Sequence, residues 1–331
     1  MIVNRSIGTR NNYGDLTALF KYISILESQK EHEKSRDILN DLLHIVRGIE
    51  SVTPEKSSGL CTTYRLIADN HMEVGEVSEA ARLCREGLQL CPGYGELLLS
   101  YSNCLTRLHQ FEASENILDQ IDEKSVTATH KATNSGLCTY RKSTALGQLY
   151  QDWGKIELAR QHFTKALQSR GDWIPAHVGL IESEIIETNL AKAGQYMAMI
   201  MQKHGPDHAL KLTAANLALI TSNFAEADDL AARLQGNLLG DDRFEYLLFQ
   251  LDFFKGDHES LSHVPYLMTG ESAETEAARV WVMEFKGKSY QEDLSRIPED
   301  VWREEYQALD RAWQDIESQF KPCVDSKRDG L

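Results

Sequence analysis

The clearest hydrophobic pattern lies at Leu146 to Leu167, LGQLYQDWGKIELARQHFTKAL, where apolar residues recur at helical spacing on both sides of Gly154. The pattern predicts two helices, the first closed at Gly154, which suits the left-handed conformation that ends a helix. Gly147 on the first and Ala159 on the second are small enough for two backbones to approach, while Tyr150 and Phe163 fill the space around them. Such a hairpin has an apolar face it cannot bury alone, so similar hairpins must stack on it.

Counting outward from Ala159, the second-helix marker preceded by a turn recurs at Ser35, Ala80, Ser114, Ala193 and Ala227, with Leu261 a degenerate last member. Ala80 to Ser114, and each step from Ala159 to Leu261, is 34 residues; Ser35 to Ala80 and Ser114 to Ala159 are 45. The first unit spans about Leu16 to Leu43. The second carries Tyr64, Ile67, Ala68, His71, Gly75, Ala80, Cys84, Gly87 and Pro92 at matching positions, and Pro175 opens the fifth in DWIPAHVGL. The two longer steps come from Ser, Thr, Lys and Glu-rich spacers at about 48–59 and 122–136, which read as loops. They end in SGLCTTYR and SGLCTYR. That near-identity reads either as duplication of a two-repeat block or as a paired ligand-contacting feature.

Gly147, Tyr150, Gly154, Ala159, Phe163 and Ala166 fall where a tetratricopeptide repeat has its small residue, aromatic, turn glycine, small residue, aromatic and small residue, and 34 is that repeat's period. The resemblance implies an all-α fold: a right-handed TPR α-solenoid of about seven to eight helical hairpins over residues 12–298. It implies also a C-terminal capping helix at 299–320 and a flexible tail at 321–331. Residues 12 to 235 further resemble the C-terminal repeat array that follows a family 2 glycosyltransferase domain in bacterial proteins. The matching features are CREGLQLCPGYGELLL after a long spacer, Tyr140 and Arg141 closing the second spacer, and the hairpin at Leu146 leading into DWIPAHVGL. The alternating strand and helix domain of such a transferase has no counterpart here, and Asp228, Asp229, Asp241 and Asp242 lie at helical turns where carboxylates are usual.

In a solenoid of this type the first helices line the concave face. Carried over position by position, the partner-binding residues are Arg65, Asp69, Met72, Glu96, Asn103, Arg141, Gln148, Gln151, Glu182, Asn216, Arg243, Tyr246 and Gln250, a mixed polar set. Thr62, Leu99, Thr106, Thr144, Val178 and Leu212 share those positions. Acidic Asp69, Glu96 and Glu182 fit poorly to a clamp for a carboxylate tail.

The net charge of -15 argues against a nucleic-acid partner, and no apolar run reaches bilayer length. The expected location is cytoplasmic. The six cysteines show no zinc spacing and read as small apolar residues in a reducing compartment. His204 and His208 are separated by Gly205 and Pro206, which break the helix that would make them a metal pair. His71, His177 and the five tryptophans read as packing residues. The expectation is therefore no enzyme, no cofactor and no metal. The chain reads as a scaffold for a protein or peptide partner, belonging to a glycosyltransferase system whose transferase domain or acceptor it would engage. The alternatives are a fragment of such a transferase and a self-associating structural scaffold.

Overall fold

The computed structural model describes residues 54–73, 76–122, 136–205, 207–238, 242–255, 277–282 and 306–314, with the single positions 38, 41 and 303. Among them every regular element is a helix. Most of the first hairpin, Gly75, the second spacer's interior, Leu261, most of the closing helix and the tail lie outside the described residues. The chain forms two compact units, Met1–Trp153 and Gly154–Leu331. The division falls at the turn of the hairpin from which the repeat was counted.

The first unit contains α1 (Pro54–Glu73), α2 (Val77–Leu90), α3 (Gly95–Arg107), α4 (Phe111–Asp119), a π-helical turn (Leu137–Arg141) and α5 (Lys142–Asp152). Helix α1 opens at Pro54, inside the stretch expected to be spacer; proline suits a first helical turn, where its missing N–H has no partner to lose. α1 packs on α2 and also on α3, and α3 on α4 and α5. First helices therefore stack on first helices, each with its second helix alongside. Tyr64, Ile67, Ala68, Ala80, Leu83, Cys84 and Leu97 form the core. At Gly87 a Cβ would lie 2.8 Å from Tyr64 Cβ and Leu97 Cδ2, so this position admits no side chain without displacement.

Cys61 is bonded to Cys91 in a disulfide that ties α1 to the end of α2. This corrects the reading of Cys61 and Cys91 as free apolar side chains and removes the argument for a reducing compartment. The spacing between the two cysteines gave no signal because the bond joins helices whose register is set by tertiary packing. Cys84 and Cys104 remain buried thiols, and Cys138 donates from Sγ to the Asp122 carbonyl at 3.0 Å. The hydrogen bond between the two buried thiols, then burial itself, pushes the Cys84 thiol up and keeps it protonated.

The second unit contains α6 (Ile156–Ser169), α7 (Ile174–Ile186), α8 (Leu190–His204), α9 (His208–Ile220), α10 (Phe224–Leu238) and α11 (Asp242–Lys255). α7 packs on α6, α8 and α9, and α11 on α9 and α10. Gly179 on α7 lies under the Phe163 ring of α6, so close that a Cβ would enter the ring. Arg160 of α6 lies 3.1 Å from Glu184 and 2.7 Å from Glu187, and Lys192 of α8 reaches Glu184 at 2.6 Å. These ion pairs join three helices. Farther along, Phe249 and Phe253 of α11 share a cluster with Trp281, Leu309 and Trp313.

The counted small positions sit in the core: Ala80, Ser114, Ala159, Ala193 and Ala227 are all fully buried. On the facing first helices of the hairpins that lie within one unit, Ala68, Ser102, Ile181 and Ala215 are buried as well. Ser102 and Ser114 share an Oγ to Oγ hydrogen bond of 3.0 Å, which shows the two small positions of one hairpin in direct contact. Buried hydroxyls are tolerated there because each has a partner.

The turns repeat with the same period. His109, Gly154, Thr188 and Ser222 all have positive φ, between 56° and 74°. The next residue's N–H bonds back across the turn, Gln110 to the Leu105 carbonyl, Asn189 to Glu184 and Asn223 to Ala218, each at 2.8 Å, as does Glu76 to His71. This six-to-one bond is the Schellman closure of a helix. Three of the four positive-φ residues are not glycine, and so gave no turn signal in the sequence.

Candidate functional site

The residues assigned to the partner-binding face meet most closely in the first unit. Arg65 and Asp69 are one turn apart on α1 and pair at 2.5 Å. Ser100 of α3 donates to the other Asp69 oxygen at 2.8 Å. Glu96, one turn earlier on α3, receives both ends of the Arg141 guanidinium, at 2.5 and 2.7 Å. That fork geometry is the strong form of an arginine and carboxylate pair.

Arg141 reaches Glu96 from the π-helical turn. Gly136, at φ 78°, starts it, and the Tyr140 ring lies over that glycine where any Cβ would collide. The Arg141 N–H closes the wide turn on the Gly136 carbonyl at 3.0 Å. The two similar segments, SGLCTTYR and SGLCTYR, thus differ in conformation: the first lies in continuous α-helix and the second, one residue shorter, makes a π turn. Their arginines nevertheless arrive at one charge cluster.

Two cations and two carboxylates neutralise one another in this cluster. Burial raises the Asp69 carboxyl above its usual range, with Glu96 adding to the rise, while Arg65 and Ser100 oppose it. The Glu96 hydrogen bond leads the causes that raise Arg141, against burial. Since the arginines are already engaged, a free carboxylate would have to displace Asp69 or Glu96 to bind them. Beside the cluster, Thr62 and Tyr94 share a hydrogen bond of 3.1 Å close to the disulfide. Asn103 is exposed on α3, and Met72 half-buried on α1.

Other assigned residues are placed differently. Gln151 is buried, at 8% exposed, so it is not open to a partner. Gln148 is exposed and donates to Asp152 at 2.9 Å. In the second unit Glu182, Asn216, Tyr246 and Gln250 are half-exposed, whereas Val178 and Leu212 are buried. The Arg243 side chain is outside the described residues. Ser100 was missed in the sequence, since a serine on a polar face carries no signal until its neighbour helix is known.

The two histidines assigned to packing are held as such. His71 is buried and Nδ1 pairs with Glu76 at 2.6 Å. His177 Nε2 donates to the Gly171 carbonyl at 3.1 Å and Nδ1 accepts from the Tyr196 hydroxyl at 2.7 Å, an arrangement for a neutral ring. Burial, then the nearby His204 and Lys203, lowers its pKa, against the Gly171 bond. Among the described residues no group of three or more His, Cys, Asp or Glu could hold a metal ion. No described helix is long and apolar enough to cross a membrane. An open cleft of about 300 Å³ between α2, α3 and α4 is lined by Arg85, Leu88, Tyr101 and Ile117 among others, and none of the charge cluster borders it.

Among solved structures, the chain is similar to the crystal structure of the APC/C hetero-tetramer Cut9-Hcn1, with a TM-score of 0.51 at 17% identity over 77% of this chain and 46% of that one. The fold is that of the tetratricopeptide repeat. This chain spans less than half of the Cut9-Hcn1 chain it matches. A tetratricopeptide repeat protein from Parabacteroides merdae aligns with 89% of this chain and 98% of its own at 12% identity, with a TM-score of 0.48. PilW, a type IV pilus biogenesis factor, covers 70% of this chain and 98% of its own at 16% identity, with a TM-score of 0.46. No family model matches the chain, and no curated protein matches it.

Proposed function

We propose that this tetratricopeptide repeat chain is a non-catalytic scaffold that binds a protein or peptide through the face formed by its first helices. The observation that carries the reading is the cluster of Arg65, Asp69, Glu96, Ser100 and Arg141. First helices and the turn preceding one of them, drawn from three successive repeats, bring paired, partly open charges to one place. Charge pairs of this kind, desolvated on one side only, can trade one partner for a ligand group and so favour specificity over raw affinity. The matched Cut9-Hcn1 structure is itself a complex, which fits the reading.

The finer part of the proposal is that the scaffold serves a glycosyltransferase system, engaging the transferase domain or its acceptor. It rests on the sequence resemblance alone. A longer catalytic polypeptide that includes this array is the alternative, supported if an in-frame nucleotide-binding domain adjoins the coding sequence. A cytoplasmic location fits poorly with the Cys61–Cys91 disulfide, since such bonds persist in oxidising compartments. The test is capture of partners by the wild-type chain and by the double variant Arg65→Ala, Arg141→Ala. Selective loss of a partner supports the reading; an unchanged set contradicts it. Metal-dependent transfer from sugar nucleotides by this chain alone would contradict the non-catalytic assignment.

A further inference from the structure

Most large apolar side chains on a protein surface are scattered and require no explanation. In the second unit three of them are not scattered. Ile186, Ile220 and Phe254 are 51%, 51% and 40% exposed, and they stand 34 residues apart. Each occupies the last turn of a first helix, α7, α9 and α11, and α9 packs against both of the others. The same register in the first unit holds Arg107 and Asp152. The apolar register is therefore confined to the second unit.

One turn earlier, on the same face of each helix, stand Glu182, Asn216 and Gln250. All three are half-exposed, and among the described residues the Asn216 and Gln250 amides have no hydrogen-bond partner. A side-chain amide both donates and accepts, the complement of a peptide group. The six residues hold one carboxylate and no cation, on a chain of net charge -15, which disfavours an acidic ligand. Two neutral amides beside three apolar side chains suit a ligand without charge.

We infer that this face binds an uncharged, apolar peptide in extended form, its main chain held by Asn216 and Gln250 and its side chains laid on Ile186, Ile220 and Phe254. The inference rests on the scaffold reading and names the chemistry of one of its partners. It is tested on the full chain with fluorescein-labelled synthetic peptides of three compositions: uncharged apolar, acidic and basic. The uncharged apolar peptides should bind at least about tenfold tighter than the others. Ile220→Asn and Asn216→Ala should each weaken them about tenfold, the scale of one lost contact at a binding surface, with thermal unfolding unchanged. Binding that ignores both variants yet is lost with Arg141→Ala would overturn this inference and leave the scaffold reading standing. Equal binding of all three compositions would overturn it too, as would self-association of the wild-type chain that Ile220→Asn abolishes. No binding by any peptide would overturn both readings.

Discussion

Thr188 is the residue most at odds with its conformation. A β-branched side chain at φ 61° crowds the backbone, yet the turn between α7 and α8 demands that region. Ser222 and His109 carry the same demand at φ 59° and 56°. Thr188→Gly should therefore stabilise the chain by about 1 kcal/mol, the left-handed penalty less the entropy that glycine adds to the unfolded state. Urea unfolding checks it; a loss of stability would mean that Thr188 contributes through contacts instead. Gly154 was legible as a turn because glycine fills it. The other turns were hidden, since the position tolerates residues that mark nothing by themselves. The small packing positions were legible for the opposite reason: Ala80, Ala159, Ala193 and Ala227 are set by steric limits that the sequence records directly.

Within and between helices, the Cys61–Cys91 bond was the largest departure from the sequence reading. It closes a loop of 30 residues around the hairpin that carries Arg65 and Asp69. Replacing Cys61 by serine should lower stability by about 2–4 kcal/mol, chiefly by freeing the unfolded chain. Equal unfolding midpoints for Cys61→Ser and wild type would contradict the bond. The contact of α7 with α8 carries a second test, in pH. The groups around His177 on α7 are Tyr196, Lys203 and His204 on α8, with Arg170 and Asp172 in the preceding turn; the Glu184–Lys192 pair joins the same two helices. The folded state holds His177 below its ordinary value, so on acidification the unfolded chain takes up the proton first. The stability due to neutral His177 is complete above about pH 6.5 and is lost as pH falls toward the folded value. His177→Gln should flatten the pH dependence of the thermal midpoint over that window; an unchanged slope would contradict this origin.

At the scale of the whole molecule, helical period and hairpin order were legible because each repeat buries the same positions. The site was legible only in part. Position counting brought Arg65, Asp69, Glu96 and Arg141 to one face, but it could not foresee that they pair with each other, nor that Gln151 is buried. Pairing depends on the π turn at Leu137–Arg141, a local departure from the regular repeat. Nor did the count reveal the apolar register at Ile186, Ile220 and Phe254, although its 34-residue spacing stands in the sequence, since only burial separates an exposed isoleucine from a core one. On the reading proposed above, first helices form the binding face. Amide hydrogen exchange of the full chain, with and without a bound peptide, tests it most directly. Binding through the first helices adds protection on α1, α3, α5, α7, α9 or α11, with none on α2, α4, α6, α8 and α10; protection confined to that second group would rule it out.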